Sequence, residues 1–332
     1  MPMGQLTQVL RDVNPERDPR LLVGPQSIDD AGVVLLGPEE GAPDGLALVQ
    51  TVDYFPPVLD DPYLYGAVAA ANSLSDVYAM GGRPISALNM AGFPADFDEG
   101  WIRDIFRGGF DKVREAGAVI AGGHTVRSAE PLFGFAITGV VERDQVADNA
   151  GAQVGDRLVL TKPLGMGTMS TAGKFQKASP EAVRAAAEVM ATLNAAAAEA
   201  MNAVGIHACT DVTGFGMVGH SRNIAAGSGV TLRLSLRDLP IYEGALDLAR
   251  DGVVSGGSKR NRDALEDVVH LADGLDDALV SLIFDAETSG GLLIAVAPDR
   301  LARLEGELTD RGVLAAVMGE VADLGDHLVE LR

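Results

Sequence analysis

Residues 208–220 read ACTDVTGFGMVGH. A short strand runs into an acid, a Gly-containing turn and the start of a helix, so Asp211 stands at a strand end, placed to hold a cation. Working outward, SIDDAG carries Asp29 and Asp30, QTVDYF carries Asp53, and AANSLSDVYAMGG carries Asn72 and Asp76. These carboxylates fall at strand ends and on one helix. Together they read as a polyphosphate and Mg²⁺ site.

The segments around these acids set the architecture. LALVQTVDYF is a strand entering a turn at Pro56 and Pro57. Tyr65 to Met80 is an Ala-rich helix stopped by Gly81 and Gly82, and on it Asn72 and Asp76, four apart, share a face. ISALNMAGF is a strand, Glu99 to Ala116 a helix, and AVIAGG and GFAITGVV are strands flanking a polar loop. A second run starts at RLVLTKPLG and continues with one long helix from Pro180 to about Val204. The strand and helix bearing Asp211 come next, then a loop at SGGSKRN, a TSGG turn before LLIAVA and a helix from Pro298 to about Arg311. The polar, Gly-containing DNAGAQVGD separates the two runs, giving domains 1–150 and 151–332, both mixing helices and strands.

Composition bounds the chemistry. The chain has 332 residues and a formal charge of −21, which argues against nucleic acid or an anionic membrane as partner. It has no apolar run long enough to span a membrane and no signal-peptide pattern, so the reading is cytoplasmic. One cysteine, Cys209, rules out an intrachain disulfide or a Cys-cluster metal site, and five scattered histidines argue against a His-rich one. Hard cations held by carboxylate oxygen remain.

A single acid is more often a solvated charge or a helix cap than a ligand. Here Asp30, Asp76 and Asp211 lie among small and apolar residues, where a carboxylate costs several kcal/mol to desolvate unless donors or a cation compensate. AGGHT, with Gly123, His124 and Thr125, could aim backbone N–H groups at phosphate, although a lone GG more often marks a turn. For His124 and His220, packing or capping weighs at least as much as catalysis. Cys209 reads as a small buried residue. There is no GxxxxGK[ST] motif and no dinucleotide fingerprint.

Strings along the chain resemble one family. DDAGV, TVDYFPPVLDDPYLYG, AAANSLSDVYAMGGRPISALNMAGFP, AGGHTV, PLFGFAITGVV, TKPLGMG, ACTDVTGFGMVGH, SGGSKRN and ETSGGLL are similar to selenophosphate synthetases (selenide, water dikinases), in the same order, from about Leu21 to the C-terminus. The resemblance implies the α+β, two-domain fold of the aminoimidazole ribonucleotide synthetase-like superfamily, with N-terminal domains forming a β-barrel across a homodimer and ATP held near that interface. It implies conversion of ATP, selenide and water to selenophosphate, phosphate and AMP. It also implies Mg²⁺ on Asp30, Asp76 and Asp211, nucleotide contacts from Ser27, Ile28, Asp29, Asp53, Asp76, Gly123, His124 and Thr125, support from Asn72, and a possible K⁺ requirement.

One departure stands out. Members carry a Gly-rich segment with a Cys or selenocysteine and then an essential Lys, ahead of the helix that here reads MGQLTQVLRDV. The first lysine here is Lys112, so the sequence is read as lacking that segment, its catalytic residues are left unassigned, and the chain is expected to make little selenophosphate alone. The alternatives are a catalytically inactive nucleotide-binding or dimerising module and a sister ATP-dependent small-molecule kinase.

Overall fold

The computed structural model describes residues 18–24, 29–40, 42 and 45–332. Ser27, Ile28 and the helix expected at 3–13 lie outside the described residues.

Two mixed sheets organise the chain. The first has six strands, β1 (Leu21–Val23), β2 (Gly32–Leu35), β3 (Leu46–Phe55), β4 (Arg83–Phe93), β5 (Val119–Arg127) and β6 (Leu132–Glu142), in the order β1-β2-β3-β6-β4-β5. Only β4 and β5 pair in parallel, across a crossover helix; the other pairs are antiparallel. The second sheet has seven strands, β7 (Arg157–Leu160), β8 (Ala208–Asp211), β9 (Thr231–Leu234), β10 (Val269–Leu271), β11 (Leu292–Val296), β12 (Ala316–Ala322) and β13 (Val329–Leu331), in the order β10-β13-β9-β12-β7-β11-β8. Asp211 ends the edge strand β8, opposite Leu292.

Helix α1 (Pro62–Ala79) joins the halves. Asp61 caps it by accepting from the Leu64 N–H, and Pro62 fits the first turn, where an N–H has no partner to lose. From Leu64 to Ala79 every residue is buried, as expected of a helix that is small or apolar all round. One side covers β3 and β6. The others meet α2 (Glu99–Glu115), strand β8, α4 (Pro180–Met190) and α5 (Ala195–Val204). Helices α1 and α2 touch backbone to backbone: a Cβ on Gly66 would come within 1.9 Å of the Ile105 carbonyl oxygen, and one on Gly108 within 1.9 Å of that of Tyr63.

Three expectations change. The single helix from Pro180 to Val204 is two, α4 and α5. The break is stabilised from outside, because the Lys162 ammonium takes the Thr192 carbonyl and the Asn194 side chain turns away from the helix it precedes. SGGSKRN is helical, as the start of α8 (Gly256–Leu265), after α6 (Gly216–Ser228) and α7 (Ala245–Arg250), with Ser255 capping the Ser258 N–H. AGGHT is not a turn. It lies in β5, with Gly123 pressed on the Asn89 backbone. The remaining helices are α3 (Met166–Lys174), α9 (Asp277–Ile283) and α10 (Leu301–Asp310). Among the described residues no helix is long and apolar enough to cross a membrane.

Because the α1–α2 crossing has no room for a methyl group, Gly66→Ala should cost about 1–3 kcal/mol or more in overpacking. Chemical denaturation should show a lower midpoint with an unchanged slope.

Candidate metal and nucleotide site

The acids converge at the seam between the two sheets. Asp53, near the end of β3, faces α1, where the Asn72 amide donates to its Oδ2 at 3.1 Å and Ser73 Oγ donates to its carbonyl at 3.1 Å. One turn on, Asp76 is 7 % exposed and accepts a short hydrogen bond from the Thr51 hydroxyl. Thr51, Asp53 and Phe55 share one face of β3, by strand periodicity. Asp211 is 1 % exposed. Asp30 Oδ1 accepts from Thr210 Oγ1 at 2.8 Å, tying the loop before β2 to β8. Asp29 accepts from the Asp30 N–H at 3.0 Å and the Asn149 N–H at 3.3 Å.

Burial and mutual repulsion raise these acids. Asp30 and Asp76 are held well above the usual carboxylate range by burial first, and then by Asp211 and the other neighbouring acids. Burial pushes Asp211 and Asp29 up to about 7 and Asp53 up to about 6. Within this group Asp30 Oδ2 and Asp211 Oδ2 are buried without a hydrogen-bond partner. Unpaired buried carboxylate oxygens, contributed by two different halves of the fold, fit the needs of a hard divalent cation.

Asp30, Asp211 and His220 can bring one ligand atom each within 4.8 Å of one another. His220 has other work. Its Nε2 accepts the Thr213 N–H at 3.0 Å, so the proton sits on Nδ1, facing Thr210 Oγ1 at 3.3 Å. Burial lowers its pKa to about 4, which keeps the ring neutral. The imidazole therefore orients Thr210, which in turn donates to Asp30. Cys209 is buried, and burial with Asp30, Asp211 and Asp29 nearby pushes its thiol far from the reactive range.

The structure gathers Asp29, Asp30, Asp53, Asn72, Asp76 and Asp211. It does not bring Gly123, His124 and Thr125 to them: these three are exposed on the edge strand β5, and among the described residues no hydrogen bond links them to the acids. Sequence reasoning missed Thr51, Ser75, Lys162, Asn194 and Thr210. Lys162 is buried, donates to the Thr192 and Ser289 carbonyls at 2.7 and 3.1 Å, and has its pKa lowered to about 7 by burial, against the pull of Asp211.

Comparison with known proteins places this fold. Residues 28–141 match the family described as AIR synthase related protein, N-terminal domain, and residues 153–331 its C-terminal domain. A Geobacter metallireducens protein named "Selenide, water dikinase" is 48 % identical over 313 residues, 94 % of this chain and 89 % of that protein. One of the same name from Caldanaerobacter subterraneus is 43 % identical over 98 % of this chain and 93 % of its own length. A solved structure described as "AaThiL complexed with AMPPCP and TMP" superposes with a TM-score of 0.73 over 99 % of this chain and 93 % of that one, at 17 % identity, a likeness of fold.

The pKa values set a pH dependence for metal-free protein. An unfolded Asp releases its proton near 4, whereas folded Asp29, Asp53 and Asp211 keep theirs to about 7, 6 and 7. The folded state therefore binds more protons between pH 5 and 7, and stability falls as pH rises, by about 1.4 kcal/mol per pH unit for each acid fully inside its window. His220, at about 4 when folded, opposes one of these acids up to about pH 6.5. Thermal unfolding in EDTA should show Tm dropping from pH 5 to 7, and added Mg²⁺ should restore it most at pH 7. Asp211→Asn should flatten both responses.

Proposed function

This chain belongs to the selenide, water dikinase family, and on that premise we propose that it makes selenophosphate, turning ATP, hydroselenide and water into selenophosphate, phosphate and AMP. The observation that carries the reading is the cluster of half-buried Asp30 with buried Asp76 and Asp211 at the seam, one oxygen each of Asp30 and Asp211 being buried and left unpaired. Bound there, Mg²⁺ would neutralise phosphate charge that otherwise repels an anionic nucleophile.

The chain's own residues supply position. Thr51 orients Asp76, Asn72 orients Asp53, and Thr210 orients Asp30, so the three acids approach the phosphates with little freedom to lose. Asp29, Asp53 and Asp76 would face the nucleotide. In the first step hydroselenide attacks the γ-phosphorus in line and the bond to the β-phosphate oxygen breaks, leaving ADP. In the second, water cleaves ADP to AMP and phosphate. K⁺ would act with Mg²⁺. In this reading 1–150 forms the nucleotide-binding and dimerising domain and 151–332 the C-terminal α+β domain, in the cytoplasm.

The open face of the first sheet supports a homodimer. Val52, Tyr54, Leu88 and Val126 are each about half exposed, at 53, 51, 49 and 50 %, on the side away from α1. Val52 and Leu88 lie opposite Ala136 from its two sides, in one row. An apolar face of this kind beside an edge strand needs a cover. A second copy would complete a barrel and bring Gly123, His124 and Thr125 of β5 towards nucleotide at the interface.

The deciding assay is ³¹P NMR of selenophosphate formed from ATP and selenide with Mg²⁺, scored against the low turnover expected from the sequence. Asp76→Asn, which keeps shape and removes charge, should lower kcat by roughly 10²-fold or more; unchanged turnover would remove Asp76 from the site. Leu88→Glu should shift sedimentation from dimer to monomer with the far-UV circular dichroism unchanged, and a variant that stays dimeric would exclude this face as the interface.

A further inference from the structure

Asn194 stands where a helix cap belongs, directly before α5, yet its side chain makes no capping hydrogen bond. Asn is among the best capping residues, so its side chain is engaged elsewhere. It is 3 % exposed. Its Nδ2 donates to Ser75 Oγ at 2.8 Å and to the Gly290 carbonyl at 3.0 Å. Both amide protons are used.

Ser75 lies on α1 next to Asp76 and is fully buried. Its hydroxyl carries one proton and accepts from Asn194, so that proton is left for the Asp211 carboxylate, on the strand that α1 packs against, whose charged form Ser75 favours. Asn194 is fixed in turn. Lys162 Nζ grips the carbonyls of Thr192, two residues before it, and of Ser289, beside Gly290. Ser289 has a left-handed φ of 62° and is locked by its own hydroxyl, which donates to the Met190 carbonyl at 2.7 Å.

We propose that Asn194 is a positioning residue for the metal site: through Ser75 it steadies the Asp211 carboxylate that would bind the cation. The relay also crosses the seam. It ties the half of the chain that carries Asp211 to the helix that carries Asp76, so both acids keep one separation. This rests on the reading of Asp211 as a Mg²⁺ ligand. Residues that orient metal ligands without touching the metal change affinity by about 10–100-fold when removed.

The test uses the whole chain and needs no turnover. ADP binding is followed by calorimetry at increasing Mg²⁺ for the parent protein, Ser75→Ala, Asn194→Ala, the double variant and Asp211→Asn. Each single variant should raise the half-saturating Mg²⁺ by about tenfold or more. The double variant should be no worse than the worse single one, because both changes cut one chain. In an Asp211→Asn background, Ser75→Ala should add nothing.

Ser75→Ala puts a strong helix former in a helix, so its folding offers a check on Asn194→Ala, and Tm without Mg²⁺ reports on both. A Mg²⁺ midpoint within twofold of the parent in both single variants would overturn the relay. So would a double variant whose shift is the product of the two. If the parent binds ADP without regard to Mg²⁺, or Asp211→Asn leaves the midpoint unmoved, it is the metal assignment that falls.

Discussion

The structure depends on carboxylates from both halves of the chain being buried against one another. Asp30, Asp53 and Asp76 come from the first half and Asp211 from the second, and each is raised by burial, three of them by one another's charge as well. Like charges in a poorly hydrated seam separate unless something offsets their repulsion. Hydroxyls and an amide offset part of it: Thr51 on Asp76, Thr210 on Asp30, Ser75 on Asp211 and Asn72 on Asp53. The rest of the architecture keeps the acids from moving apart. Helix α1 is enclosed on all sides, and its glycine contact with α2 allows no sliding.

What could be read in the sequence follows from the range of each interaction. Asp76 within an Ala-rich helix is a local anomaly, and Asn72 one turn earlier is a neighbour by helical geometry alone. Strand ends at Asp53 and Asp211 follow from alternation and glycine punctuation. Thr51, Thr210 and Asn194 gave no such signal, because their partners lie 25, 180 and 119 residues away. A threonine in a strand looks like any other until the opposing element is known. The break between α4 and α5 carried only the weak local marks of Thr192 and Asn194 in an Ala-rich run, and the groups that stop the helix are Lys162 and the Ser289–Gly290 turn.

The glycines of AGGHT misled in a related way. Read alone, GG suggests a turn able to cradle phosphate. In the fold, Gly123 is small because β5 runs against the Asn89 backbone, and the segment is an edge strand with little cover on either face. Its exposed polar groups and the apolar row of Val52 and Leu88 point to the same incompleteness. In the proposed dimer, the β5 residues that the family resemblance assigns to nucleotide would lie beside the second copy. That assignment and the dimer therefore stand or fall together.

Dividing the acids between two halves has a consequence for how a site of this kind works. On the proposed reading neither half offers a complete ligand set, so affinity for a cation would depend on both halves being held together, and a bound cation would favour that arrangement by the same free energy. On the proposed reading, nucleotide arrives with Mg²⁺ at a place where protons would otherwise hold the acids neutral. Displacement of those protons links binding to pH as well as to closure. A net charge of −21 works in the same direction, since it draws cations to the surface and repels bare polyphosphate, so the metal complex is the form that can approach. Ser75, Asn194 and Lys162 then hold in place what the cation would otherwise have to assemble.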